Sequence, residues 1–289
     1  MAMRSADRKP PFTWPPKPRA EPPKSPTPVA QTCRGVQSPP ADQPTFWSCI
    51  EDTFLGVTAR PLPVRAVEEG WSPDEPNDYC PRCGRTADRA PLEGCMNCRD
   101  LRLAWTRMVR LGAYTGPLRT WIHEVKYTRW RRLGHDLGLL LGERLLAEFV
   151  SSRMDKAAGR AVIVPVPDSA LRRLCRGIDH AMVIARGVRA ATGWPIVQPL
   201  RRRFGPAQTS IAPSARANNV AKSFGLRSVS GIDTPSGGLF VLVDDVCTTG
   251  ATLRTCARLL VNACRKSGCV EVPEIWTAVL ARAEVRTKA

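Results

Sequence analysis

Apolar residues recur at helical spacing in the middle of the chain. The segment LRTWIHEVKYTRW (118–130) places Leu118, Ile122 and Val125 three to four residues apart. The following segment LGHDLGLLLGERLLAEFV (133–150) continues the same spacing. This period places apolar side chains on one face of a helix. Both segments are therefore predicted to be amphipathic or buried helices.

Short runs of strand-forming residues follow, and they alternate with further helical patterns. Strands are predicted at AVIVPVP (161–167), PIVQPL (195–200), GLFVLVDD (238–245) and EIWTAVLAR (274–282). Helices are predicted at GIDHAMVIARGVRAATG, ended by Gly193, and from near Thr249 through LRTCARLLVNACRKSG. Strands that alternate with helices favour right-handed crossovers and a mainly parallel sheet. The predicted fold class is α/β.

One long segment inside this α/β region fits neither period. Residues 201–224, RRRFGPAQTSIAPSARANNVAKSF, are polar and basic. An insert of this length within a compact α/β domain is typically a lid or a binding loop.

The first quarter of the chain differs sharply in composition from the rest. Residues 1–79 contain 16 of the 27 prolines and carry 9 basic against 10 acidic side chains. The remaining residues carry 34 basic (43 − 9) against 16 acidic (26 − 10), a net charge of +18. A proline-rich segment without apolar periodicity buries too little surface to offset its chain entropy. Residues 1–75 are predicted to be a disordered leader, with docking of a short motif that contains Phe46, Trp47, Phe54 and Leu55 as the alternative.

The sequence patterns include neither a membrane span nor a signal peptide. No apolar run approaches the ~20 residues that span a bilayer, and MAMRSADRKPPFTWPP lacks the apolar core of a signal peptide. The expectation is a cytoplasmic protein with no membrane span. Thiols stay reduced there, so the eleven cysteines need an explanation other than disulfides.

Four cysteines have metal-ligand spacing. Cys80 and Cys83 form one CxxC pair, and Cys95 and Cys98 form a second after eleven intervening residues. Four thiolates suit a tetrahedral, structural zinc ion, and Gly84 and Gly94 beside the pairs supply tight turns. The alternatives are two disulfides, unrelated buried thiols or an iron–sulfur cluster. Residues 76–104 are predicted to form a zinc knuckle, and 105–289 the α/β domain.

The stretch VLVDDVCTTGAT (241–252) carries the second constellation. Asp244 and Asp245 end a buried strand, where ligands bind in open α/β sheets. Backbone N–H groups at the start of the next helix, with Gly250 and the neighbouring threonine hydroxyls, suit a phosphate. The aspartates can accept hydrogen bonds from vicinal hydroxyls. A ribose 5-phosphate satisfies both requirements.

VLVDDVCTTGAT resembles the phosphoribosyl-pyrophosphate (PRPP) signature of type I phosphoribosyltransferases. The alternative is the Walker B strand of an ATPase, which requires a GxxxxGK[ST] loop, and the chain contains no Gly-Lys pair. The resemblance implies a Rossmann-like parallel sheet of the phosphoribosyltransferase type. A helix cap made by the acidic residues alone does not account for the threonine cluster.

Several motifs in order extend the resemblance to about residues 80–282. The zinc knuckle is followed by YTGPLRTWIHEVKY (114–127), VPVP (164–167), RGIDHA (176–181), and Gln208 with RANNVAKSF (216–224). Together they resemble the ComF family of bacterial competence-associated proteins. That family usually has RGFNQA where this chain has RGIDHA, so Asp179 and His180 replace the usual Asn and Gln. It usually has Ala-Phe where this chain has Ser223-Phe224.

The resemblance implies roles for individual residues. Catalytic candidates are Asp244, Asp245, Lys126 and Arg176. PRPP-binding candidates are Asp244, Asp245, Val246, Cys247, Thr248, Thr249, Gly250, Ala251, Thr252, Asp168, Arg216 and Asn219. Arg172 and Arg173 are further candidates for the pyrophosphate. Mg²⁺ is expected to accompany PRPP, bound largely through ligand oxygens and water.

The implied function is a phosphoribosyltransferase-like protein that binds PRPP or another 5-phosphoribosyl group and is linked to uptake of transforming DNA. Whether it transfers a pentosyl group is left open, because no acceptor is indicated. One alternative is a non-catalytic single-stranded nucleic-acid-binding factor, suggested by the +18 charge and by Arg129–Arg132 and Arg201–Phe204, where arginines flank aromatics. A nucleobase-salvage transferase is a third. Expected partners are PRPP, single-stranded DNA and competence-machinery proteins.

Overall fold

The computed structural model describes residues 61–127, 131–152, 161–168, 179–202, 223–227, 238–268 and 271–284. Numbered along these residues, the elements are α1 (Leu62–Glu68), β1 (Arg107–Ala113), α2 (Gly116–Tyr127), α3 (Arg131–Ser151), β2 (Ala161–Pro165), α4 (His180–Thr192), β3 (Leu200–Arg202), β4 (Phe224–Leu226), β5 (Leu239–Cys247), α5 (Ala251–Lys266) and β6 (Glu274–Arg282). The unit Glu69–Ala289 holds everything after α1.

Four of the strands form one parallel sheet in the order β1-β6-β5-β2. Pro165 is opposite Val243, and Cys247 is opposite Arg282, so the strands end at a common edge. β3 and β4 form a separate antiparallel pair. The α/β fold with a parallel sheet is confirmed, and its carboxyl edge is where the sequence placed the ligand.

The two faces of β5 pack against different helices because successive side chains of a strand point to opposite sides. Phe240 and Leu242 belong to a buried cluster that includes Leu253 and Leu260 of α5. Helices α3 and α4 pack against the strands as well, and the ring of Phe149 in α3 lies 6.1 Å from that of Trp276 in β6. Helices thus enclose the central strands.

Helices α3 and α4 approach each other closely through glycines. A Cβ atom added to Gly138 would lie 2.2 Å from the carbonyl oxygen of Ile184, and one added to Gly187 would lie 2.1 Å from that of His135. Both contacts are with backbone, which has little freedom to move aside. The crossing of these two helices therefore requires glycine at both positions.

Two features differ from the sequence predictions. β1 was not predicted, and residues 195–200 do not form a strand of the central sheet. Only Ile196 pairs with β2, in an isolated bridge to Ile163, and the flanking prolines have no N–H to extend it. Of the predicted leader, residues 61–75 are described and include helix α1. The rest of the leader segment lies outside the described residues, and its boundary stays a prediction.

Among the described residues, no helix has both the length and the apolar character needed to cross a bilayer.

Candidate functional site

The four predicted metal ligands lie together. The Sγ atoms of Cys80, Cys83, Cys95 and Cys98 are all within 4.8 Å of one another. The Cys80–Cys98 pair is 3.6 Å apart, Cys83–Cys95 3.7 Å and Cys95–Cys98 3.8 Å. Disulfide sulfurs are about 2.05 Å apart, so none of these thiols is joined to another.

These distances match the edges of a zinc tetrahedron. Four sulfurs held at about 2.3 Å from one ion are separated by about 3.8 Å. Gly84 and Gly94 have φ values of +70° and +114°, so they make the turns that the sequence predicted for them. A hydrogen bond with Cys83 lowers the pKa of Cys80, and burial raises the pKa of Cys98. The cluster fits a zinc ion bound by four cysteines.

A buried arginine fixes the knuckle to the sheet. Arg110 of β1 is 1% exposed and donates from Nη1 to the carbonyl oxygen of Gly84 at 2.7 Å. Its Nη2 donates to Thr86 Oγ1 at 2.9 Å and lies 2.6 Å from Asp74 Oδ2. Burial raises the pKa of Asp74, although Arg110 opposes this shift. Knuckle and sheet are thus joined by hydrogen bonds from a buried guanidinium, whose charge is paired with Asp74 just before the knuckle.

The acidic end of β5 forms the second part of the site. Asp245 Oδ2 lies 2.8 Å from Lys126 Nζ at the end of α2, with both side chains 19% exposed. Asp244 Oδ1 accepts from the N–H of Asp245 at 2.9 Å, and Asp245 Oδ1 accepts from the N–H of Val246 at 2.6 Å. Three of the proposed catalytic residues therefore share one end of the sheet.

The ionised form of Asp244 is disfavoured by its surroundings. Its pKa is raised well above the usual value, first by burial and then by the neighbouring charge of Asp245, while Lys126 lowers it. Asp168, which follows β2, adds further negative potential. Asp168 Oδ1 is also 3.8 Å from Arg202 Nη1 of β3. A cationic or hydrogen-bond-donating ligand at this edge relieves the repulsion.

The predicted phosphate loop directly follows these aspartates. Thr248 and Thr249 are exposed, while Gly250 is buried with φ +73° and begins α5 as its N-cap. The first helical hydrogen bond runs from the N–H of Arg254 to the carbonyl oxygen of Gly250 at 2.9 Å. The preceding N–H groups at the start of α5 have no partner within the helix. The loop thus presents amides and hydroxyls suited to an anion.

Other residues of this segment contribute differently. Cys247 is 3% exposed and packs into the cluster on the α5 face, so only its backbone can serve a ligand. Val246, Ala251 and Thr252 are part-buried. The remaining candidates lie outside the described residues: Arg172, Arg173, Arg176, Arg216 and Asn219.

The sequence analysis missed Arg282 and Trp105. Arg282, the last residue of β6, is 5% exposed and donates from Nε to the carbonyl oxygen of Cys83 at 3.1 Å. Its Nη1 donates to the carbonyl oxygen of Cys247 at 2.8 Å and also contacts that of Thr248. Trp105 Nε1 donates to the carbonyl oxygen of Arg82 at 2.9 Å. A charged residue ending a buried strand at the ligand edge was the available signal for Arg282.

Three curated bacterial proteins are similar to the chain. Competence protein F of Haemophilus influenzae is 30% identical over 200 residues, which are 68% of this chain and 82% of that protein. The chain belongs to the ComF family. DNA utilization protein YhgH of Salmonella typhi is 30% identical over 189 residues, 63% of this chain and 78% of its own. The protein of the same name from Escherichia coli K12 is 29% identical over the same shares.

Two other comparisons add little to this assignment. No protein-family model matches the chain. A solved structure titled as the allosteric regulatory enzyme of purine biosynthesis aligns with 50% of this chain and 25% of its own, at 24% identity and a TM-score of 0.29. A superposition this loose carries no argument, so the fold rests on the sheet topology described above.

The departures from the usual ComF pattern have a local explanation in α4. Asp179 is the N-cap of this helix, and its Oδ1 accepts from the N–H of Met182 at 3.2 Å. His180 is 3% exposed at the first turn. Asp is among the preferred N-cap residues. In this ComF protein both positions thus contribute to the start of α4.

Proposed function

We propose that this ComF-family protein binds PRPP, or another ligand with a 5-phosphoribosyl group, at the carboxyl end of β5. The observation that carries the proposal is the continuous arrangement of the Asp244–Asp245 pair, Lys126 and the exposed Thr248–Thr249 turn at the start of α5. Anion-binding and hydroxyl-binding groups lie next to each other along one short segment. That arrangement suits a phosphorylated sugar.

Each part of the ligand has a matching group in this proposal. The 5-phosphate accepts hydrogen bonds from the loop amides and from the hydroxyls of Thr248, Thr249 and Thr252. The vicinal ribose hydroxyls donate to Asp244 and Asp245. Lys126 is paired with Asp245 in the ligand-free protein. It turns toward the pyrophosphate when the ribose hydroxyls take its place at Asp245. Mg²⁺ comes with the pyrophosphate and, when bound, neutralises part of its charge.

Pentosyl transfer is the reaction that this site suits best. Positive charge develops on the ribose ring as pyrophosphate leaves, and the aspartates lie at the ribose-binding end of the site. The protein otherwise contributes orientation, because phosphate and hydroxyls are held at two fixed points. The group that accepts the ribose is to be identified by the transfer assay described below.

Calorimetry with PRPP, ribose 5-phosphate and inorganic phosphate tests the binding. The expected order of affinity is PRPP, then ribose 5-phosphate, then phosphate, because each smaller ligand loses one set of contacts. Release of pyrophosphate from PRPP with nucleobases or single-stranded DNA present then tests transfer. Absence of binding by PRPP and ribose 5-phosphate contradicts the proposal.

A second candidate function is binding of single-stranded nucleic acid by the basic surface. Residues 80–289 carry the net charge of +18, and the similar proteins are named for competence and DNA utilization. Arg131 and Arg132 are exposed at the start of α3. Arg202, by contrast, is engaged with Asp168 and lies 5.2 Å from the Phe224 ring centre, so it is not presented to bases. We propose a role in handling incoming DNA on these grounds.

Salt dependence separates the two candidates. Affinity for single strands should fall steeply between low and moderate salt, because bound phosphates release counterions. The Arg131→Ala, Arg132→Ala double variant should reduce that slope and leave PRPP affinity unchanged. Binding that is insensitive to salt removes this second function.

A reducing cytoplasm is the proposed location, since the four-cysteine cluster needs free thiols.

A further inference from the structure

Two contacts connect the cysteine knuckle to the proposed phosphate loop. Arg282 joins the carbonyl oxygen of Cys83, a metal-ligand residue, to those of Cys247 and Thr248. Trp105 bonds the carbonyl oxygen of Arg82 through Nε1, and a Cβ atom added to Gly250 would lie 3.0 Å from its ring. The side chains of Arg282 and Trp105 therefore hold residues 82–83 of the knuckle against residues 247–250 of the loop.

The contacts of Arg282 determine where the loop amides point. A peptide group is planar and trans, so its N–H points away from the carbonyl oxygen of the preceding residue. Carbonyls of Cys247 and Thr248 that face Arg282 turn the N–H groups of Thr248 and Thr249 away from it. Within the described residues, neither N–H has a backbone acceptor. Arg282 thus orients two donors of the loop for an outside anion.

The knuckle end of Arg282 depends on the cysteine cluster. Nε is bonded to the carbonyl oxygen of Cys83, whose sulfur is 3.7 Å from that of Cys95. A metal ion fixes the backbone of its ligand residues, because binding and local folding are coupled. Without the ion, the Cys80–Cys83 turn loses that constraint, and Arg282 and Trp105 lose a fixed partner.

We propose that Arg282 is a positioning residue that couples metal binding by the four cysteines to phosphate binding by residues 248–252. The inference rests on the proposed function and adds to it that the zinc site regulates the phosphate site. Coupling of this kind is reciprocal, so phosphate ligands must also strengthen metal binding. Arg254 offers a matched control, because its Nη2 donates to the carbonyl oxygen of Thr249 at 3.0 Å but has no bond to the knuckle cysteines.

Affinity for ribose 5-phosphate is measured for the parent, Arg282→Met and Arg254→Met, each with zinc and after chelation. Metal removal should weaken binding by about tenfold or more in the parent and in Arg254→Met, as expected for lost hydrogen bonds to a charged group. Arg282→Met should bind weakly in both states. Equal metal dependence in Arg282→Met and the parent overturns the coupling.

Release of zinc to a chelator tests the reverse direction on the loaded protein, so it needs no stable metal-free form. Ribose 5-phosphate should slow release from the parent and from Arg254→Met, but not from Arg282→Met. Arg282→Lys, which keeps one donor and the charge, should give an intermediate effect and serves if the Met variant does not fold. An equal effect of the sugar phosphate on all four proteins contradicts the inference.

Hydrogen exchange of the Ala283 and Arg254 amides, which donate to the carbonyl oxygens of Cys247 and Gly250 at 2.9 Å, distinguishes this inference from the proposed function. Metal removal should speed exchange there in the parent and have no further effect in Arg282→Met, whether or not any ligand binds. If the parent binds neither PRPP nor ribose 5-phosphate, the proposed function fails and exchange still decides the coupling. Unchanged exchange on metal removal overturns it.

Discussion

Lys126 Nζ lies 2.8 Å from Asp245 Oδ2, which joins the end of α2 to the carboxyl end of β5. In the proposed complex this lysine exchanges the aspartate for the pyrophosphate of PRPP. Lys126→Met should therefore weaken PRPP binding by about tenfold, the loss expected for one charge-assisted hydrogen bond, and change ribose 5-phosphate affinity much less. Calorimetry with both ligands measures the difference. Equal losses for the two ligands contradict this role of Lys126.

Substitutions in the loop and at the aspartates should weaken the binding of different ligands. Thr249→Val removes an exposed hydroxyl and should weaken every ligand that carries the 5-phosphate, including ribose 5-phosphate alone. Asp245→Asn should weaken PRPP by about tenfold and spare inorganic phosphate, since it alters only the groups that face the ribose hydroxyls. Titrations with three ligands compare the variants. If Asp245→Asn binds PRPP as tightly as the parent and unfolds more easily, the aspartate is structural.

Asp244 should destabilise the ligand-free protein at neutral pH. Its pKa is raised in the folded state from 3.8, so ionisation costs more in the folded than in the unfolded chain. The folded state therefore loses stability as pH rises through the raised pKa. Asp244→Asn should raise the melting temperature at pH 7, and this advantage should shrink as pH is lowered toward 3.8. Thermal melts across that range measure it, and an advantage independent of pH rules out this cause.

Loss of one cysteine ligand should release the metal. Cys98 is 1% exposed and lies 3.6 Å from Cys80 at the Sγ atoms, so Cys98→Ser removes one of four ligands from a closed site. Elemental analysis should find about one zinc per chain in the parent and much less in the variant, with a lower melting temperature. Cys264→Ser, which changes a buried thiol outside the cluster, is the control. A folded parent that contains no metal contradicts the zinc site.

The α3–α4 crossing should be intolerant of any side chain. Gly138→Ala places a Cβ atom 2.2 Å from the carbonyl oxygen of Ile184, and the helices must separate to accommodate it. Overpacking of this kind costs about 1–3 kcal/mol. Ala147→Ser, at an exposed position of the same helix α3, is the control, whereas Gly193→Ala is unsuitable because the φ of Gly193 is +74°. Urea denaturation measures both variants, and a neutral Gly138→Ala contradicts the close crossing.

Much of the fold followed from local patterns. β6 coincides with the predicted segment 274–282, and α4 ends before Gly193 as expected, because both have an uninterrupted period and clear end signals. β1 was missed because Arg107 and Arg110 interrupt its apolar run. Arg107 pairs with Glu148 and Arg110 with Asp74, partners far away in the sequence. Burial of these arginines is possible only once the fold supplies the acids.

The sequence by itself determined which residue types make up the two candidate sites. Cysteine spacing predicted a tetrahedral cluster, and the VLVDDVCTTGAT segment predicted aspartates and a threonine loop at a strand end. Those features are local, because every group lies within a few residues of its neighbours. Tertiary structure alone decided that Lys126 meets Asp245 and that Arg282 joins Cys83 to Cys247. Such contacts depend on strand order and register, which place the ends of β5 and β6 side by side and which no local period encodes.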